Sequence, residues 1–240
     1  MYKKLNCAGD AGLTDEDKNE MIVTPWEVRG KVDYERLIRE FGTQPLTEEL
    51  LKRIAKYTDK LHLQLQRKLF FSHRDLDTIL DLYEKGTKFV LYTGRGPSGP
   101  VHIGHLVPWI FTKHLQDKFD TRLYFQMTDD EKFIVEDELK LEQAKNFGYE
   151  NALDLIALGF KPENTFIIFD VEDIDLLYDI ALEVAKRITY STAKATFGFQ
   201  DSTNIGWILV AEFLSYVSCY SPVWVLVYGC WNKGWNVFTR

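Results

Sequence analysis

The sequence predicts an α/β fold, and three observations predict it. A short apolar run, Phe89-Val90-Leu91-Tyr92, breaks into a loop holding Gly94, Gly96, Pro97, Gly99 and Pro100. Helical spacing follows through Ile110, Leu115 and Phe119. A second apolar run, Leu123-Tyr124-Phe125, then ends in the polar cluster Gln126-Met127-Thr128-Asp129-Asp130-Glu131. Strand, turn, helix and strand of these lengths make one βαβ unit, and ligands of such units sit at the carboxyl ends of the strands.

The 240 residues suffice for one good core or one and a half domains. A net charge of −7 excludes a polyanion binder by bulk charge, so any nucleic-acid contact has to be a local patch. Cys7, Cys219 and Cys230 form neither a close metal-type pair nor a disulfide framework, which suits a reducing cytosol. The first twenty residues carry several acids and no apolar stretch, so they match neither a secretory signal nor a mitochondrial presequence. No internal repeat or low-complexity tract is present.

Taken in order, Met1 to Glu20 reads as a mobile polar tail and Met21 to Val28 as a short extended segment around Pro25 and Trp26. Asp33 is expected to cap a short helix with Leu37, Ile38 and Phe41 on its apolar side, stopped by Gly42. Thr47, with Glu48 and Glu49, opens a helix buried through Leu50, Leu51 and Ile54. Ser72 is expected to cap a third, with Leu76, Ile79, Leu80 and Tyr83 on one face and Gly86 past its end. Beyond the βαβ unit, Leu141 to Leu158 reads as a helix with Ala144, Phe147, Ala152, Leu155 and Ile156 inward. Gly148 in its interior costs about 1 kcal/mol against alanine, and Gly159 closes it. Thr165 to Phe169 is a strand, Ile174 to Ile188 a helix, and Ser191 the expected cap of another.

The chemistry concentrates in the turn. His102 and His105 stand three residues apart across Gly104, so at a helix start both imidazoles point toward the orphan N–H groups and the positive end of the dipole. That is a site for a phosphate chain, and Gly104 lets a flat base or ribose approach the backbone. The glycines fit neither the dinucleotide nor the Gly-Lys-Ser/Thr fingerprint. On the tetrapeptide alone, a proline- and glycine-rich loop with two surface histidines stands as the other reading. Metal chelation by the two histidines is discounted, because no third ligand is evident.

Val101-His102-Ile103-Gly104-His105 matches the "HIGH" signature of class I aminoacyl-tRNA synthetases. The words YTGRGPS, QMTDDEK and FFSHRD resemble the tryptophanyl type of eukaryotes and archaea, with corresponding segments in order from about Val23 to Gly206. Pro97 to His102 is one residue shorter than in the animal cytosolic enzymes. The resemblance implies the front half of a Rossmann-like nucleotide-binding catalytic domain over 76–206, split by a connective insertion that carries dimer contact. An N-terminal, mostly helical extension occupies 1–75. It also implies a cytoplasmic ligase that joins tryptophan to tRNA(Trp) with ATP and Mg2+, works as a homodimer and needs no membrane. On it, His102 and His105 are catalytic, and Gly94, Arg95, Gly96 and Gly104 shape the ATP site with them. Tyr92 meets the indole N–H, and Gln126 and Glu131 hold the polar groups of tryptophan. Magnesium rides in on ATP, and no residue is assigned to a metal. Asp129 and Asp130 are expected to cap the next segment and orient Glu131 and Lys132, because consecutive residues seldom face one point.

Lys52, Arg53, Lys56, Lys60, Arg67, Lys68 and Arg74 lie against a single acid, Asp59. They read either as the solvated face of amphipathic helices or as a track for the tRNA backbone. From Trp207 to Arg240 the resemblance stops, and no helical or alternating period is defensible. The three readings of this tail, in order of preference, are a translated intron or shifted frame, a locally packed native tail, and a membrane anchor over Phe213 to Trp231. No KMSKS-type lysine loop lies within the 240 residues. Two functions follow: a synthetase represented by part of its catalytic domain and inactive alone, or a non-catalytic fragment acting as a dimerising or regulatory binding protein.

Overall fold

The computed structural model describes residues 22–23, 28–29, 38, 43–216, 224–230 and 234–239. The tail over Met1 to Glu20 and most of the helix expected after Asp33 lie outside them; Ile38 is helical. In chain order the elements are β1 (Ile22–Val23), β2 (Val28–Arg29), β3 (Gln44–Pro45), α1 (Glu48–Thr58), α2 (Leu63–Gln66), β4 (Phe70–Arg74) and α3 (Leu76–Glu84). Next come β5 (Val90–Arg95), α4 (Ile103–Phe119), β6 (Leu123–Met127), α5 (Asp129–Val135), α6 (Leu141–Ala157) and β7 (Thr165–Phe169). The last are α7 (Ile174–Ala185), α8 (Tyr190–Phe197), α9 (Ile205–Tyr216), β8 (Trp224–Cys230) and β9 (Gly234–Thr239).

β1 and β2 pair antiparallel, and the other strands form one sheet in the order β3-β4-β9-β8-β5-β6-β7. β5, β6 and β7 run parallel, with Tyr92 opposite Tyr124 and Gly94 opposite Gln126 in one pair, and Gln126 opposite Ile168 in the next. This register brings three carboxyl ends to one edge. β8 pairs parallel with the other side of β5, so the order reverses there, which is where open α/β sheets leave a crevice for ligands. After Trp207, where the sequence shows no defensible period, the described residues continue a helix to Tyr216 and form β8 and β9. A strand with neighbours on both sides reads as an unbroken apolar run, such as Trp224-Val225-Leu226-Val227, and shows no alternation. No helix among the described residues is long and apolar enough to cross a membrane.

The core lies where α1, α3, α4 and α6 cover this sheet, through residues such as Ile79, Leu80, Leu91, Trp109, Leu123, Phe125 and Leu155. Trp109 packs edge-on to Phe125 at 5.2 Å, and Phe70 stacks on Phe111 at 4.3 Å. Burial of this kind stabilises by about 1.5–3 kcal/mol per large apolar side chain. Ile110 and Ile156, both expected inward, are 43% and 62% exposed. In α4 two buried rings, Trp109 and Phe111, flank Ile110.

Caps divide the correct expectations from the wrong ones. Thr47 caps α1, its hydroxyl accepting the Leu50 N–H at 3.2 Å. Ser72 is not the cap of α3: it is a buried residue of β4, and α3 starts instead at Asp75 in the left-handed region (φ 56°). The orphan Leu76 N–H is accepted by His73 Nδ1 at 3.2 Å. Thr189, and not Ser191, caps α8 by accepting the Thr192 N–H at 3.2 Å. Gly148 has a packing reason for its place, since a Cβ there would lie 3.1 Å from the Phe169 ring.

Candidate active site

The loop after β5 delivers the chain to the start of α4. His102 is the N-cap, with extended backbone (φ −131°, ψ 171°), and its Nδ1 accepts the Gly104 N–H at 3.1 Å. His105, three residues on, accepts the His102 N–H on its own Nδ1 at 3.1 Å. The two imidazoles thus form a reciprocal capping box, with rings stacked at 3.7 Å between centroids. A ring nitrogen that accepts carries no proton, so both neutral histidines are protonated on Nε2. The expectation that the imidazoles point at the orphan N–H groups holds, with one correction. The Gly104 N–H goes to His102 Nδ1 and the His105 N–H to His102 O at 2.9 Å, so those two amides are already engaged within the turn.

His105 is 7% exposed. Burial, with smaller contributions from Arg95 and His102, pulls its pKa from 6.5 to about 4, so at neutral pH it donates as a neutral ring. Arg95, the last residue of β5, is itself lowered by burial but stays cationic, because a guanidinium does not deprotonate in a protein. Its Nε donates to Asn151 Oδ1 at 3.1 Å, and Asn151 Nδ2 donates to the Gly99 carbonyl at 3.1 Å. Asn151, fully buried on α6, therefore ties the glycine loop to the helix layer.

The glycines separate by environment. A Cβ on Gly94 would lie 2.7 Å from the Gln126 carbonyl oxygen, so Gly94 belongs to strand β5 and serves its close approach to β6; the sequence had placed it in the loop. At Gly96 the nearest atoms are those of the Lys132 side chain, which covers the loop. At Gly104 a Cβ would meet the His102 ring at 3.0 Å.

A second polar group joins β5, β6 and the residue that follows β7. The Tyr92 hydroxyl donates to Gln126 Oε1, and Gln126 Nε2 donates to both carboxylate oxygens of Asp170, at 2.7 and 2.9 Å. Gln126 has no exposure and Asp170 has 1%. Glu131 Oε2 accepts the Thr128 hydroxyl at 2.8 Å, and its other oxygen lies 3.6 Å from Lys132 Nζ. The structure so brings Tyr92 and Gln126 into direct contact and holds Glu131 on the first turn of the helix that follows.

Asp129 and Asp130 depart from the expectation that they only cap and orient. Asp130 does accept the Glu131 N–H at 2.6 Å. Asp129, however, is fully buried and reaches across to accept the Val171 N–H at 3.1 Å, while Asp130 shares a hydrogen bond with Asp170. Burial, with smaller repulsion from Asp129 and Glu131, pushes Asp130 up to about 6; burial and then repulsion from Asp130 push Asp170 well above the carboxylate range. Asp170 thus holds a proton that it donates to Asp130. Two consecutive residues face one neighbourhood because the first turn of α5 packs directly against the end of β7. Among the described residues, no three His, Cys, Asp or Glu side chains are grouped to hold a metal ion.

Asp170 and Asn151 were not picked out from the sequence. Asp170 could have been, because it follows the apolar run Thr165 to Phe169 as Gln126 follows Leu123 to Phe125, and so sits at a strand's carboxyl end. Asn151 gave no such signal, since it lies mid-helix between apolar positions. Of the basic residues from Lys52 to Arg74, Arg53 is tied to Asp81 at 2.6 Å and Glu84 at 3.3 Å, while Lys52, Lys56, Lys60, Arg67, Lys68 and Arg74 are exposed.

The family model for tRNA synthetases class I (W and Y) matches residues 84–203. Over 191 residues the chain is 56% identical to the tryptophan–tRNA ligase of Pyrobaculum aerophilum, covering 80% of this chain and 51% of that one. The corresponding enzyme of Saccharolobus solfataricus is 54% identical over 190 residues, covering 79% and 50%. The chain thus spans about half the length of the curated relatives it matches. Among solved structures, the Plasmodium falciparum tryptophanyl-tRNA synthetase superposes with a TM-score of 0.74 at 41% identity, over 78% of this chain and 54% of that one. An Encephalitozoon cuniculi tryptophanyl-tRNA synthetase bound to tryptophan gives 0.74 at 37% identity, over 78% and 52%. With the histidine turn, the parallel sheet and the matched residues in agreement, the chain belongs to the class I tRNA synthetase family of the tryptophan and tyrosine enzymes.

Proposed function

We propose that the chain supplies the tryptophan- and ATP-binding part of a tryptophan–tRNA ligase. In that reaction the carboxylate of tryptophan attacks the α-phosphorus of ATP in line and pyrophosphate leaves. The aminoacyl group of the adenylate then passes to the terminal ribose of tRNA(Trp), with release of AMP. One observation carries the reading: a single strand, β5, contributes Tyr92 to a hydrogen-bonded polar cluster and, through the loop that follows it, the histidine-capped start of α4.

The chemistry needs two anions held together and charge stabilised on the α-phosphate, so positioned donors matter more than a nucleophile. His102 and His105 donate from Nε2–H to the phosphates, and Arg95 adds fixed positive charge behind the loop. Gly96 and Gly104 keep the loop and helix start low enough for the nucleotide; Gly94 contributes through the packing of β5. Magnesium arrives as part of the ATP complex, held by phosphates and water. Tyr92 faces the indole N–H, and Gln126 and Glu131 hold the polar groups of tryptophan, including its ammonium. Exposed Leu176, Tyr178 and Leu182 on α7 offer an apolar face suited to a homodimer contact, and the exposed lysines and arginines from Lys52 to Arg74 suit tRNA phosphates. The setting is the cytoplasm.

The test has two arms. The 240-residue chain should bind tryptophan in equilibrium dialysis yet give pyrophosphate exchange lower by about a hundredfold or more than a complete synthetase, because a lysine loop of the KMSKS type is missing from these residues. Joining residues up to Gly206 to the C-terminal half of a relative should restore exchange that depends on tryptophan. Failure to bind tryptophan, or exchange stimulated equally by any amino acid, would refute the proposal.

A further inference from the structure

Tyr92, Gln126, Asp170 and Asp130 form a chain of hydrogen bonds with one direction. A carboxamide can be built two ways round, and its neighbours decide which. Here the Nε2 side of Gln126 lies 2.7 and 2.9 Å from the two oxygens of Asp170; the proton of the acid pair lies in the Asp130–Asp170 hydrogen bond, so both oxygens meet Gln126 as acceptors, which no amide oxygen would face without repulsion. Its Oε1 is therefore turned to the Tyr92 hydroxyl and can only accept. That fixes the hydroxyl proton on the Gln126 side, so toward any further polar group the phenol oxygen acts as an acceptor. Asp170, 44 residues from Gln126 in sequence, sets this polarity from the end of a different strand.

We infer that Asp170 is a specificity-determining positioning residue: by orienting the Gln126 carboxamide it makes Tyr92 an acceptor, and so selects an aromatic amino acid whose ring carries an N–H donor. The inference rests on the proposed assignment of Tyr92 to the indole N–H of tryptophan. Each bond in the chain polarises the next, so the phenol is a better acceptor than an isolated tyrosine. A ring of the same shape without the donor forgoes that hydrogen bond, which lowers its affinity relative to tryptophan. Asp170 itself touches no ligand in this arrangement. With asparagine at 170, one of the two facing atoms becomes a donor, Gln126 can invert, and Tyr92 can turn its proton toward the ligand.

The experiment measures binding of L-tryptophan and of L-β-(3-benzothienyl)alanine, in which sulfur replaces the indole N–H, to the full chain by equilibrium dialysis. The unmodified chain should prefer tryptophan by about tenfold or more. Asp170→Asn should bring that preference to within about threefold, mainly through weaker tryptophan binding, with the thienyl analogue held about as before. Gln126→Met, which cuts the link without adding charge, should do the same, and adding Asp170→Asn to it should change the ratio no further. Equal loss of both ligands in Asp170→Asn, or an unchanged ratio in Gln126→Met, overturns the inference; the second variant decides if the first does not fold. Tyr92→Phe separates this from the underlying assignment. If it lowers the preference while the other two do not, the pocket stands and the role of Asp170 falls. If it leaves the preference intact, the pocket assignment fails and takes the inference with it.

Discussion

His105 does two jobs that substitution can pull apart. Its Nδ1 caps the start of α4 by accepting the His102 N–H, and its Nε2–H is the donor proposed for the phosphates. His105→Ala removes both. Loss of the capping acceptor costs about 1 kcal/mol, and loss of a ring that is 7% exposed and stacked on His102 adds about 1–2 kcal/mol. For a chain of this size that sum lowers the melting temperature by about 4–12 °C. His105→Glu is the informative partner, because glutamate at this position of a capping box accepts the N-cap amide and suits the helix dipole, yet has no proton to donate. It should recover most of the lost cap, leaving a fall of about 2–8 °C. Tryptophan-dependent pyrophosphate exchange, read in the enzyme completed with a relative's C-terminal half, should fall about a hundredfold or more in both variants, with tryptophan binding little changed. Exchange restored by His105→Glu would show that the ring matters only as a cap. A melting temperature no better than that of His105→Ala would show that the cap is not what the ring provides.

Other outcomes follow from the same geometry. His105 and His114 both titrate near 4 in the folded chain, against about 6.5 when unfolded, chiefly through burial, so their contribution to stability is present above pH 6.5 and is lost as pH falls toward 4. Asp130, raised to about 6, acts in the opposite sense, contributing stability at low pH that is lost as pH rises through 6. Urea midpoints from pH 7.5 to 5.0 should therefore fall, and fall more steeply in Asp130→Asn; a shallower fall in that variant would contradict the sign. Asn151→Ala should cost about 1–3 kcal/mol and weaken ATP binding more than tryptophan binding, because it releases both Arg95 and the Gly99 carbonyl; dialysis with each ligand checks the order. Gly148→Ala should destabilise in spite of alanine's better helix propensity, since its Cβ would press on Phe169 at 3.1 Å; a raised melting temperature would mean that the ring simply moves aside.

The sequence by itself determined what depends on residues close along the chain. The βαβ unit was legible from two apolar runs and the helical period between them. The helix start at His102 was legible because a cap and its third neighbour are set by local spacing, and Thr47 showed its cap for the same reason. Local rules failed where a competing partner came from elsewhere. Ser72 has the right side chain for a cap, but its backbone is held in a ladder opposite Pro45, and His73 caps the helix in its place. The polar pocket was half legible: Tyr92 and Gln126 mark strand ends, yet the direction of their hydrogen bond is set by Asp170. Asp129 and Asp130 were read as local caps because adjacent side chains diverge along a chain. Only the tertiary structure decided otherwise, since parallel pairing of β6 with β7 places carboxyl ends more than forty residues apart in one buried neighbourhood, where desolvation leaves carboxylates no choice but to share a proton or find a donor.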